Sequence, residues 1–229
     1  MVRYFKSQFF EVRELGRNTI DIIRLLPEKD DCPENIKRYV EDYNPEVITA
    51  KGDLEILQRK KLAIFCSVKC PGALILQTYD LMRALREAGV VVVSGFHSPV
   101  EQECLQILLS GAWPLVVCPA RSIEEMRLTP AYKKLLSEGR LLLLSPFSEK
   151  YRRITAQNSL LRNRFVCAIA DEIFIPYAAP GSKTEQFCIE ILSGNQLLFM
   201  LDSDYNTGLI ARGAIPVRPD SIPEGWIQG

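Results

Sequence analysis

The sequence predicts an α/β fold: a mainly parallel, doubly wound sheet with helices on both faces. Three observations predict it. Short apolar runs without polar alternation recur along the chain, as in KLAIFCS (61–67), VVVVSG (90–95) and RLLLLSP (140–146), and strands of that kind are covered on both faces. A stretch of helical periodicity follows such runs, as in GALILQTYDLMRALREAG (72–89), and this alternation is the mark of parallel strands with crossover helices. Capping residues also fall where helices should start and stop. Ser98, Pro99 and Glu101 open one helix, and Gly89 closes another.

Taken in order, residues 1–50 carry helical periodicity in IDIIRLL and ENIKRYVEDY and form a small helical N-terminal segment. NPEVITAKGDLEIL is a connector into the main domain, residues 51–229. There KLAIFCS is a strand and 72–89 a helix; VVVVSG is a β-branched strand and 98–111 a helix. PLVVCP (114–119) is a strand, PAYKKLLSEG (130–139) a helix and RLLLLSP a strand. SLLRNRFVCAIADEIFI (159–175) is a helix running into a strand, which DEIFIPY (171–177) completes. KTEQFCIEILSG (183–194) is a helix, QLLFMLD (196–202) a strand, and TGLIARG (207–213) a last helical segment. The crossovers should be right-handed. The architecture is Rossmann-like.

Composition narrows the function classes. Lys+Arg and Asp+Glu both number 28, so the overall charge singles out neither nucleic acid nor membrane. The distribution is uneven: Arg121 to Arg164 holds ten basic against four acidic residues, which allows a local basic surface. The seven cysteines are scattered, and the N-terminus carries charges throughout, so a reduced, cytoplasmic protein is expected. Cys66 and Cys70 have no second pair nearby, and His97 is the one histidine, which speaks against zinc. No apolar run reaches 18 residues, so no membrane span is expected. No metal or other cofactor and no catalytic residue is assigned.

In doubly wound sheets, ligands bind beyond the carboxyl ends of the strands. The polar residues there are Ser67 and Lys69, then Ser94, Gly95 and His97, then Gly181, Ser182, Lys183 and Thr184 in the loop AAPGSKTEQ. Free N–H groups and the positive end of a helix dipole meet at such loops and suit an anion. The spacing of a phosphate-binding P-loop is absent, and so is a GxGxxG fingerprint. His97 fits a ligand contact and a structural hydrogen bond equally well. Arg162 and Arg164 lie about 200° apart on a helix, so one braces the fold, pairing with Asp171 or Glu172, and the other faces the ligand edge.

Together these segments resemble the DNA-processing protein A family (DprA, also called Smf), a branch of the Rossmann-like superfamily that includes the LOG hydrolases. The resemblance runs from about Lys51 to Ala214 and rests on KGDLEILQRKKLAIFCSVK, GVVVVSGFHSPVE, LLRNRFVCAIADEIFI and NTGLIARGAIPV. It implies a non-catalytic protein that binds single-stranded DNA through a basic pocket, forms a homodimer and helps to load a RecA-type recombinase. By resemblance Arg162, Asn163 and Arg164 match the family's RNR motif. Ser67 matches the serine and Gly95 the glycine of two turns, and Gly181 and Ser182 match the small-residue loop. The chain departs from the family where arginines fall on Val68 and Ser98, an aspartate on Glu101 and an acidic residue on Tyr177. Two lost arginines remove two charge-assisted contacts, so DNA binding would recruit Lys69, His97, Arg152 and Arg153, with bases near Phe96 and Tyr177. The competing expectation is a pocket for a nucleotide, as a sensor or as a LOG-like nucleoside-phosphate hydrolase with Glu101 or Glu185 as acid or base.

Overall fold

The structure is a computed structural model that describes residues 10–13, 22–25, 34–194 and 196–227. The chain divides into two compact units, each discontinuous in sequence. One comprises Arg59–Val117 with Ala170–Gly229, the other Met1–Gln58 with Cys118–Ile169. The boundaries therefore do not follow the expected division at residue 50.

The first of these units is the doubly wound sheet. In chain order its elements are β4 (Lys61–Ile64), α2 (Gly72–Ala88), β5 (Val91–Ser94), α3 (Pro99–Leu109), β6 (Leu115–Val117), β8 (Glu172–Phe174), α6 (Lys183–Ser193), β9 (Leu198–Leu201), α7 (Thr207–Ile210) and β10 (Ile215–Val217). The strands lie in the order β6-β5-β4-β8-β9-β10, every neighbouring pair parallel. The order reverses direction between β4 and β8, which makes the gap outside their carboxyl ends the topological switch point. β4, β5, β6, β8 and β9 are buried at every residue, as their unalternated sequences require. The cap predicted at Ser98 is present, its hydroxyl accepting the Glu101 N–H at 3.2 Å, and Ser182 caps α6 likewise, accepting the Glu185 N–H at 3.1 Å. At the opposite, amino-terminal edge, Trp226 is buried against Phe174 and Phe199, with ring centroids 6.1 and 5.0 Å away. Lys60–Glu172 and Lys61–Asp171 form ion pairs at that edge, at 2.7 and 3.3 Å.

The second unit holds β1 (Phe10–Arg13), β2 (Ile22–Leu25), α1 (Glu34–Tyr43), β3 (Ile48–Gly52), α4 (Pro130–Ser137), β7 (Leu141–Ser145) and α5 (Ala156–Ile169). Its strands run antiparallel in the order β1-β2-β3-β7. Two expectations are corrected here. IDIIRLL is not helical over its described part, because Ile23–Leu25 pair with Ile48–Ala50 as strand β2. The connector 44–57 contains β3, whose residues pair with Leu142–Ser145 of β7. ENIKRYVEDY is the expected helix, α1; it packs on α5 through Tyr39 and Phe165, whose rings meet edge-on at 4.8 Å. Cys32 lies outside the described residues.

Candidate nucleic-acid interface

The loops after β5, β4 and β8 leave three adjacent strands at their carboxyl ends, so parallel pairing alone brings them to one rim. Three of their backbone donors, those of Cys66, His97 and Gly181, are occupied by the protein's own carboxylates. Glu101, 5% exposed at the third position of α3, accepts the Cys66 N–H on one oxygen at 2.9 Å and the His97 N–H on the other at 2.8 Å. One side chain thus ties the β4 and β5 loops together. Glu185 does the same locally for α6, where it accepts the Gly181 N–H at 2.7 Å. Gly181 has φ +72°, a left-handed backbone that glycine adopts without strain, and this turns its N–H toward that carboxylate. The amide cradle expected for a phosphate is therefore filled at these three donors by internal carboxylates, which are stable where helix dipoles begin.

Several of the predicted residues spend their polar atoms on the fold. Ser94 is fully buried; its hydroxyl donates to the Ile64 carbonyl at 2.7 Å and accepts the Phe96 N–H at 3.2 Å. Ser182 is the α6 cap described above. Gly95 and Thr184 are half-buried and Ser67 is 5% exposed. Lys69, His97 and Lys183 are exposed on this rim, in the loops after β4 and β5 and at the start of α6. Phe96 holds φ +47°, a strained conformation for a residue with a side chain, and its ring is buried. Tyr177 is also buried, so neither ring presents a face to a base. The exposed ring at this rim is that of Tyr205, which follows β9 and meets Tyr177 edge-on at 6.2 Å. Its exposure follows from the loop conformation, and nothing in the local sequence marks it.

The RNR residues lie in the other unit, on α5. Arg162 is 4% exposed; it donates through Nη1 to the Cys118 carbonyl at 3.1 Å and through Nε to Asn163 Oδ1 at 2.7 Å. Arg162 is therefore the bracing arginine, and Asn163 helps to hold it. Arg164 is half-buried with its guanidinium 5.8 Å from the centre of the Tyr43 ring, a cation–π contact to α1. Burial pushes the neighbouring Cys118 thiol up to about 12, with the Arg162 charge opposing. Arg152 and Arg153 are exposed, and Arg152 pairs with Glu125 at 3.1 Å beside a pocket of about 220 Å³ lined by Arg121, Glu124, Glu125 and Glu149. That pocket is mixed in sign. Asn206, absent from the sequence reading as a site, is buried after β9 and donates to the carbonyls of Pro176 and Leu201 at 2.9 and 2.8 Å, joining the ends of β8 and β9.

Among the described residues, no helix is long and apolar enough to cross a membrane, and no group of three or more His, Cys, Asp or Glu is arranged to hold a metal ion. Residues 24–191 match the family model of DNA recombination-mediator protein A. The chain belongs to that family. Two solved structures share the fold. DNA processing protein A from Helicobacter pylori, described for its single-stranded DNA binding mode, aligns at a TM-score of 0.66 and 22% identity, covering 85% of this chain and 89% of that one. DprA from Streptococcus pneumoniae aligns at 0.66 and 20% identity over 82% of this chain and 69% of that one. No curated protein matches by sequence.

Proposed function

We propose that this recombination-mediator family protein binds single-stranded DNA at the rim formed by the loops after β5, β4, β8 and β9. The observation that carries the reading is the combination of family membership with three exposed cationic or titratable side chains, Lys69, His97 and Lys183, around a rim on which the amides of Cys66, His97 and Gly181 already bond carboxylates. A small phosphate needs an amide cradle. A strand spanning several loops can instead be held by side-chain cations on successive phosphates and by an aromatic platform under one base. Lys69 and Lys183 are the phosphate contacts in this reading, Tyr205 the stacking ring, and Thr184 supplies a hydroxyl donor, while the buried Ser67 shapes its loop. Ser94, Gly95, Gly181 and Ser182 shape the loops, and Arg162, Asn163 and Arg164 hold α5. The occupied amides of His97 and Gly181 weigh against the nucleotide-sensor and hydrolase readings. Acting as a mediator implies a non-catalytic role in the cytoplasm, delivering the strand to a RecA-type recombinase, with the protein as a homodimer; sedimentation of the purified chain tests the dimer.

Fluorescence anisotropy with an oligo-dT of about 30 nucleotides tests the core of the proposal, since the length spans more than one stacking site. Binding should weaken with salt, and K69A and K183A should each reduce the log–log salt slope by about 0.7, the single-strand value per phosphate contact. Y205A should cost about 1–3 kcal/mol with little change in that slope. No binding at low salt and micromolar protein would sink the reading.

A further inference from the structure

The cavity of about 220 Å³ beside Arg152 lies wholly within the second unit and shares no residue with the strand contacts proposed for the rim. Its walls come from two loops, 118–129 and 146–155. The Ser122 N–H donates to the Tyr151 carbonyl at 2.9 Å, and the Ser145 hydroxyl at the end of β7 donates to the Arg121 carbonyl at 2.9 Å. Main-chain atoms thus fix Arg121 and Ser122 on one wall against Glu149 and Arg152 on the other. The charges on these walls do not all neutralise one another. Arg152 spends its guanidinium on Glu125 at 3.1 Å, both side chains being largely exposed. Glu124 is only 11% exposed, yet its one ion pair, to Arg24, is long at 3.4 Å and uses Oε1 alone. Arg121 is half-buried and Glu149 exposed, and neither side chain makes a hydrogen bond or ion pair among the described residues. Ser122 is 7% exposed; its oxygen accepts the Glu124 N–H at 3.2 Å, which leaves the hydroxyl proton to donate.

A charge withdrawn from water gains most from a partner of opposite sign that also hydrogen-bonds to it. Here both signs lack such a partner in one cavity. A simple anion would meet three carboxylates there, and a simple cation two guanidiniums. A molecule carrying both signs satisfies each. The volume lies below the roughly 300 Å³ at which pockets for drug-sized ligands begin, so the ligand is small. We infer that this cavity binds a free amino acid with a cationic side chain, its carboxylate on Arg121 and Ser122 and its ammonium groups on Glu124 and Glu149. Met126 supplies apolar lining for the aliphatic stem. Arg121 selects for the carboxylate and the two glutamates for the cations, so neither a polyamine nor an uncharged side chain matches the whole set.

Isothermal titration calorimetry of the full chain with L-lysine tests this without DNA. The expected result is a saturable heat with a Kd of about 1 mM or tighter. L-Norleucine keeps the α-carboxylate and α-ammonium but lacks the terminal cation, and cadaverine keeps two ammonium groups but lacks the carboxylate. Each should bind about tenfold or more weakly than lysine, the worth of one lost charge-assisted hydrogen bond. R121A and E149Q should each weaken lysine by a similar factor and keep the wild-type urea midpoint, since neither side chain holds the fold. K69A, which weakens strand binding, should bind lysine as the wild type does, so the two sites can fail separately. No saturable heat up to about 20 mM lysine, well past that constant, would overturn the inference. So would norleucine or cadaverine matching lysine on the wild-type protein, or a folded R121A that binds lysine undiminished.

Discussion

Glu101 shows how one residue can organise a rim. Its two oxygens accept N–H groups from two different loops; the bond from Cys66 is buried and that from His97 partly so. In E101Q the amide NH2 must face one of those donors, leaving a buried N–H without an acceptor, at a cost of about 1–3 kcal/mol. Urea denaturation of E101Q should show that loss as a lower midpoint with an unchanged slope. Lys61 yields a prediction in pH. It is 4% exposed, and burial lowers its pKa while Asp171 opposes the shift. The folded state therefore binds fewer protons than the unfolded chain between the lowered value and about 10.4, the free-lysine value. In that window stability rises with pH. K61M should remove this increment, so the difference in urea midpoint between wild type and K61M should move in favour of wild type from pH 8 to about 10.

At the scale of elements, the pairing of β3 with β7 depends on Gly52. Its φ is +120°, and a Cβ there would overlap the Leu141 carbonyl oxygen. Backbone cannot swing aside as a flexible side chain can, so G52A should destabilise by roughly 2 kcal/mol or more, measurable as a drop in melting temperature. The buried strands were legible because KLAI, VVVS and LLLL need no information beyond their own composition. The cap at Ser98 was legible for the same reason, whereas Ser182 reads as an anion donor and proves to cap α6. β2 and β3 were not legible. Ile22–Leu25 carries no alternation that separates strand from helix, and one of its two partners, β3, begins more than twenty residues later. The rim was legible in position but not in occupancy. Glu101 reads as a capping-box residue, and that its carboxylate also reaches Cys66 depends on two loops converging. Arg162 and Arg164 could be separated by helix geometry, but only the packing on α5 shows that Arg162 is the brace.

For the whole molecule, the position of the two tryptophans sets what an optical experiment can see. Trp113 is 44% exposed and Trp226 1%, and both belong to the unit built from Arg59–Val117 and Ala170–Gly229. Indole emission is therefore blind to α1, α5 and β1 to β3. W113F would leave a single emitter walled in by Phe174 and Phe199, expected to glow at short wavelength and resist quenching by iodide until the sheet opens. Ellipticity, which samples every helix, can then be overlaid on that signal: coincident curves would mark one cooperative melt, and separated curves would date the loss of the α5 half against the loss of its neighbour.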